Sequence, residues 1–343
     1  MLKELNLPFY IEGQEIFTTA SAGITISSEE YERPEDMIRD ADIAMYQAKA
    51  KGKDYYEFFD PLMYAKTLTL LHLETDLRRA IERNQFQMHY QPVVELDTEE
   101  VIGFEALIRW NHPERGLICP LEFIPLAEET GLILSMGEWI INECCRQLHE
   151  WQMQFPQYSV MKMSVNISTK QFLQTNLADM IKEILERNCV DACCLSLEIT
   201  ESMIMENDEH ALVVLKKLQE MGIHIHIDDF GTGYSSLGYL HRFPINALKI
   251  DRSFIEKMFG SDENMEIIKT IVSLAQNLKL DLIAEGIEFK DQLNCLKSLK
   301  CRYGQGFLLL RPMQAKDIEA WLEKRAPNIA GDNPESLLKT SRI

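Results

Sequence analysis

The sequence predicts an α/β protein: a TIM-like (β/α)8 barrel over residues 85–325, preceded by a small N-terminal α+β fragment. Three observations predict it. From Phe86 onward, short β-rich runs alternate with amphipathic helices, about eight units over roughly 240 residues, which is the length and rhythm of such a barrel. Carboxylates, an amide or a lysine stand near the ends of successive runs, where a barrel would bring them to one face. The first 60 residues do not share the rhythm and read as a unit of their own. A doubly wound open sheet is the alternative, but no Gly-x-Gly-x-x-Gly follows the first strand.

Taken in order, Phe17 to Ile26 reads as a strand interrupted at Ser21-Ala22-Gly23. A helix starts at Pro34, with Met37, Ile38, Ala41, Ala44, Met45 and Ala48 at three- and four-residue steps and Gly52 as its stop. Tyr55 to Phe59 reads as a returning strand. So few strands and one helix bury little core, so residues 1–60 read as part of a domain. Residues 61–84 read as a linking helix on Leu70, Leu73, Leu77, Ala80 and Ile81. The strands expected next are Gln87–Leu96, Val101–Ile108, Val160–Ile167, Leu195–Ile199, Ile223–Ile227, Ala247–Ile250 and Leu280–Ala284. Helices are expected near Leu134–Trp151, Leu177–Arg187, Glu209–Met221, Asn264–Leu278 and Gln292–Leu299, and residues 326–343 as a polar, disordered tail.

Composition excludes several classes. At 46% apolar and 26% charged, with 16 Gly and 12 Pro in 343 residues, the chain is globular rather than collagenous or disordered. A net charge of −19 repels phosphate backbones and anionic lipid, so nucleic-acid polymers are not expected as partners. The eight cysteines form no Cys-x-x-Cys pair, so neither a zinc site nor a disulfide framework fits, and most are expected as buried hydrophobes in a reducing compartment. No apolar run approaches about 18 residues and Met1-Leu2-Lys3-Glu4 does not open a signal peptide. No membrane contact is expected from this segment, and a cytoplasmic location is.

The chemistry-bearing positions are Glu105, Asn166, Glu198, the pair Asp228-Asp229, Lys249 and Glu285. Five carboxylates sharing one mouth repel strongly unless they are protonated or bridged by cations, and hard oxygen donors in that number suit Mg²⁺ or Mn²⁺. Each residue also has a plainer reading. A single acid after a strand is commonly the N-cap of the next helix. Lys249 could be salt-bridged or a Schiff-base lysine. His224 and His226 alternate with Ile223, Ile225 and Ile227 and share a face with Asp228, which suits the barrel interior or a satisfied core role better than a metal site. The repetition over successive strands lifts the set above its members.

Glu105-Ala106-Leu107, the run from Asp228-Asp229 through Gly231 and Tyr234 to Leu237, and the pairs Gln91-Pro92 and Gln305-Gly306 together resemble the EAL family of cyclic-di-GMP phosphodiesterases, over about Leu68 to Leu322. The stretch Ala41 to Gly52 resembles the closing helix of a GGDEF domain, whose signature half is absent here, so the chain reads as a fragment of a longer GGDEF–EAL protein or begins within one. The resemblance implies a barrel whose first strand is antiparallel to the rest, and two Mg²⁺ or Mn²⁺ ions per site. It implies that Glu105, Asn166, Glu198 and Asp228 hold one ion and Asp228 and Asp229 the second. It places Lys249 and Glu285 on the waters, Gln305 near the nucleophilic water, and Gln91, Arg109 and, less directly, Asp251 on the dinucleotide. Glu288 matches an acid that anchors the loop after Asp229 near a homodimer contact. None of these positions departs from the family pattern. The implied activity is hydrolysis of cyclic-di-GMP to linear pGpG in bacterial second-messenger signalling. The alternatives are a catalytically idle cyclic-di-GMP receptor, a Schiff-base aldolase on Lys249, which would want an apolar pocket rather than one rich in acids, and a purely structural domain.

Overall fold

The computed structural model describes residues 2–5, 7–11, 14–28, 31–50, 54–206, 208–232, 240, 242–260 and 262–325. The chain divides into two compact units, residues 1–79 and 80–343.

In the first unit, Phe9–Ile11 and Gln14–Ile16 form an antiparallel hairpin, and Ala22–Ile24 pairs parallel with Tyr56–Phe58. The helix Pro34–Ala50 lies across that pair and buries Ala44 and Ala48. The expected strand Phe17–Ile26 is reduced to Ala22–Ile24. Its supposed interruption is its centre, because Gly23 is where the helix backbone comes closest. A Cβ there would stand 1.9 Å from the Ala41 carbonyl oxygen. The helix expected over 61–84 runs over Pro61–Ala80 and gives way to a turn in which Asn84 adopts φ +51°.

The second unit is a closed eight-stranded barrel. Its strands are β1 (Phe86–Glu95), β2 (Val101–His112), β3 (Lys162–Asn166), β4 (Leu195–Thr200), β5 (His224–Phe230), β6 (Ala247–Ile250), β7 (Asp281–Ala284) and β8 (Tyr303–Gly304). Neighbours from β2 to β8 pair parallel, and β1 closes the ring antiparallel to both β2 and β8. The antiparallel first strand is therefore observed. Two short strands extend the sheet: Gly116–Ile118 makes a hairpin on the end of β2, and Met313–Gln314 pairs with the start of β1. β8 is too short to show a period in the sequence, and β2 runs on past Ile108 because this hairpin pairs its last residues. The helix Pro120–Thr130 was hidden by its internal Pro125, although Pro120 opens it and Gly131, at φ +78°, closes it. The helix Ala315–Arg325 covers ground that the sequence pattern left blank, and residues 326–343 lie outside the described residues.

Strands buried on both faces explain the apolar runs. In Leu195–Thr200, Leu195, Leu197 and Ile199 face the helices, while Ser196 and Glu198 face inward. On the outside, Trp151 of the helix Ile133–Gln154 is wholly buried with its ring centroid 4.8 Å from that of Tyr90 and 4.9 Å from that of Phe104. Inside, Val93, Ala247 and Ile283 make an apolar floor, with Ile102 and Tyr303 packed against it. Four cysteines are buried, Cys144, Cys145, Cys194 and Cys301, while Cys119, Cys189 and Cys193 are exposed, so the expected burial holds for half of them.

Candidate active site

The period of two along each strand selects the inward side chains, and the ring brings them together. On β1 and β2, Gln91 stands opposite Glu105. On β3 and β4, Asn166 stands opposite Glu198, which in turn faces His226 of β5. Asp228 ends the same inward series two residues on. Lys249 comes from β6, Glu285 follows β7 and Gln305 follows β8. Gly306 permits the last of these placements, since a Cβ on it would stand 2.2 Å from the backbone nitrogen of Ile287.

These side chains converge on one ammonium. Lys249 Nζ lies 2.6 Å from Glu285 Oε1, 2.7 Å from Glu198 Oε2, 3.3 Å from Asp228 Oδ1 and 3.4 Å from Glu105 Oε2, and the lysine is fully buried. Glu105 also accepts from Asn166 Nδ2 at 3.0 Å and from Gln305 Nε2 at 2.5 Å, and Gln305 Nε2 lies 3.2 Å from Glu285 Oε1. Gln91 is turned to the Leu310 carbonyl, 3.0 Å away.

Four carboxylates around one ammonium leave three formal negative charges in a site closed below by an apolar floor. The titration behaviour follows. Burial opposes the charge on Lys249, but Asp228, Glu105, Glu198 and Glu285 outweigh it and hold the ammonium well above its ordinary range. Burial, opposed by Lys249 and reinforced by Glu105 and Asp228, pushes Glu198 up to about 8. Glu285 is pushed well above the carboxylate range by its burial, against Lys249. Glu105 goes the other way: burial would raise it, but Lys249 and the hydrogen bonds from Gln305 and Asn166 hold it low. His226 is driven down to about 3 by burial and by Lys249 and Lys162, so its ring is neutral.

Not every expected residue joins the cluster. Asp229 stands in an irregularity near the end of β5 with φ +53°, its amide donates to Asp228 Oδ1 at 3.0 Å, and burial together with Asp228 and Asp251 raises it to about 6. Asp251 caps the helix Arg252–Glu256 by accepting from the Ser253 amide at 3.0 Å. Arg109 lies one turn of the pleat beyond Leu107 on the inward side of β2 and donates to the Ile108 carbonyl at 2.8 Å. Glu288 pairs with Arg252 at 3.0 Å. The loop that Glu288 was expected to anchor falls on residues 233–239, outside the described residues. Glu105, expected near the end of its strand, sits mid-strand, because the hairpin prolongs β2 beyond the mouth. Glu201 was passed over by the residue pattern: it is buried, and its Oε2 accepts from the Gly231 amide at 3.5 Å, bracing the turn after Asp229.

Among the described residues, no three His, Cys, Asp or Glu side chains enclose a point for a metal ion as they stand, because their oxygens are turned onto Lys249 Nζ. The donor set nonetheless fits hard divalent cations: it is made of oxygens, it carries excess negative charge, and the buried Glu198 Oε1 and Gln305 Oε1 have no hydrogen-bond partner among the described residues. No described helix is long and apolar enough to cross a membrane.

Comparison with known proteins places this arrangement. The EAL domain model matches residues 74–312, and the model for the diguanylate cyclase GGDEF domain matches residues 1–55. The chain is 42% identical over 320 residues to the bifunctional diguanylate cyclase/cyclic di-GMP phosphodiesterase MucR of Pseudomonas aeruginosa, covering 93% of this chain and 46% of that protein. It is 40% identical over 324 residues to the cyclic di-GMP phosphodiesterase PdeR of Escherichia coli, covering 94% and 48%. The chain thus spans about half the length of these curated relatives. Among solved structures, the PaMucR phosphodiesterase in complex with c-di-GMP superposes with a TM-score of 0.70 at 45% identity, covering 73% of this chain and 99% of that one. The EAL enzyme Bd1971, with cAMP and cyclic-di-GMP bound, gives 0.72 at 33% identity, covering 75% and 70%. With its barrel, its first strand reversed and the family model matched over most of its length, the chain belongs to the EAL domain family.

Proposed function

We propose that this chain is a metal-dependent phosphodiesterase that hydrolyses cyclic-di-GMP to linear pGpG. The observation that carries the reading is the fully buried Lys249 held among Glu105, Glu198, Asp228 and Glu285 at the inner face of the barrel. The relatives named above, phosphodiesterases of this dinucleotide, supply the substrate.

A phosphodiester is a stable anion, and an uncompensated acidic site would repel it. Glu105, Asn166, Glu198 and Asp228 would hold one cation, and Asp228 with Asp229 a second. Two ions of the Mg²⁺ or Mn²⁺ kind, when bound, neutralise the phosphate and lower the pKa of water. The chain's own groups then have separable tasks. Lys249 donates hydrogen bonds toward the attacking water and offsets charge that develops on the phosphate. Glu285, adjacent to Lys249 and to the Gln305 amide, orients that water. Arg109 offers a forked contact to a phosphate oxygen, and Gln91 with Asp251 borders the dinucleotide. Attack at phosphorus breaks one P–O3′ bond, and the proton passes to the departing 3′ oxygen, giving a linear product with one 5′-phosphate.

The test is turnover by purified protein of cyclic-di-GMP with Mg²⁺ or Mn²⁺, followed by chromatography. Appearance of pGpG is expected. Tight binding without product with either ion would replace this reading with that of a receptor.

A further inference from the structure

Two buried polar atoms in the barrel face each other without a hydrogen bond. Glu198 Oε1 and His226 Nδ1 have no hydrogen-bond partner among the described residues, and they lie 3.8 Å apart. They come from residues directly opposite in the β4–β5 ladder, so both side chains leave the sheet on the same side. Glu198 is 1% exposed and His226 7% exposed. Glu198 Oε2 is fixed by Lys249, so the carboxylate is held on one edge only. Leaving a buried polar group unpaired is costly, and more so for a charged one, so a partner that completes the pair is favoured whenever Glu198 is ionised.

His226 is placed to be that partner. A neutral imidazole has one N–H, and a tautomer with the proton on Nδ1 would aim it at Glu198 Oε1. The ring also borders a cavity of about 770 Å³ at the N-terminal ends of the strands, among Val101, Lys162, Asp281 and Tyr303.

We infer that His226 is a positioning residue: its Nδ1–H donates to Glu198 Oε1 and sets the orientation in which Glu198 serves as a cation ligand. The inference rests on the proposed role of Glu198 in holding a divalent ion. Packing alone would make the imidazole replaceable by any side chain of similar volume. A hydrogen-bonded role would not, because outer-shell partners of metal ligands commonly govern affinity by about 10- to 100-fold.

The experiment measures Mn²⁺ affinity from the EPR signal of the free ion, which needs no turnover, in the whole chain and its variants. His226→Leu keeps the bulk and removes both nitrogens, His226→Asn restores an N–H near the Nδ1 position, and Glu198→Ala reports on the ligand itself. His226→Leu is expected to raise the Kd about 10-fold. His226→Asn is expected to restore most of the affinity, with the metal-free melting temperatures of the two variants similar. Wild-type affinity in His226→Leu, with Glu198→Ala weakened, would overturn the role of His226. Equal loss in His226→Leu and His226→Asn would overturn the hydrogen bond. Unchanged binding in Glu198→Ala would remove Glu198 as a ligand, and the inference with it.

Discussion

The two units of the chain spend their apolar residues differently. In the barrel, closure of eight strands removes the sheet edges, and Trp110, Trp151, Phe104 and Phe123 are buried almost completely. In residues 1–79, Phe9, Tyr10, Ile11, Phe17, Tyr56 and Phe58 are all at least 41% exposed, and the helix Pro34–Ala50 buries chiefly alanines. Two-stranded sheets have no interior of their own. The contrast teaches that the barrel sets extensive apolar burial against a costly arrangement, a lysine and four carboxylates in its interior, while the first unit buries few large side chains and carries no such cluster among its described residues.

The largest effect should fall on activity with the fold left standing. Glu105→Ala and Asp228→Ala are each expected to reduce turnover of cyclic-di-GMP by on the order of 10³-fold or more, while far-UV circular dichroism and the barrel's melting transition stay in place. Near-normal rates in either variant would detach the carboxylate cluster from catalysis. Next comes stability. Trp151→Ala is expected to cost the barrel about 3–5 kcal/mol in urea unfolding, whereas Tyr56→Ala, at a half-exposed position, should stay within about 1 kcal/mol. Similar losses at the two sites would erase the contrast between the units.

A smaller effect is expected from pH in the metal-free protein. Glu198 is held up to about 8 in the fold, against about 4.5 as the ordinary carboxylate value. A group that binds its proton more tightly when folded stabilises the fold below its unfolded value, and that contribution is lost as pH rises through the folded one. Lys249, raised above its ordinary range, titrates above this window, and Glu105, lowered, titrates below it. Asp229 and Glu285, also raised, act in the same direction and His226, lowered to about 3, in the opposite one, so the mark of Glu198 is the difference between proteins: the urea midpoint of Glu198→Gln should fall less steeply with pH between about 4.5 and 8 than that of the wild type. A slope identical in the two proteins would show that Glu198 is not protonated in the metal-free fold.

Much of the barrel was legible in the sequence because its strands are short runs rich in apolar and β-branched residues and its helices are long and amphipathic. Five of the seven expected strands coincide with observed ones to within two residues at each end, as in Ala247–Ile250. The elements that escaped are those whose signal is not local. Tyr303–Gly304 is a strand only because β1 and β7 flank it, and Pro125 obscured a helix that its neighbours hold in place. At the site, residue type and position near strand ends singled out Glu105, Glu198, Asp228, Lys249 and Glu285, whereas Gln305 and Arg109 entered through resemblance. What a sequence cannot carry is the meeting itself. That Lys249 would sit between Glu198 and Glu285, that Asp229 would turn away at positive φ, and that His226 would face Glu198 all follow from the stagger of parallel strands around a closed ring.

The central claim is that this carboxylate cluster is a two-cation centre, and an anomalous difference map from crystals soaked in Mn²⁺ and cyclic-di-GMP tests it most directly. The account predicts two peaks, one among Glu105, Asn166, Glu198 and Asp228 and one between Asp228 and Asp229, with Lys249 Nζ displaced from the centre of the carboxylates. A map with Mn²⁺ elsewhere and Lys249 still ringed by its four carboxylates would contradict it.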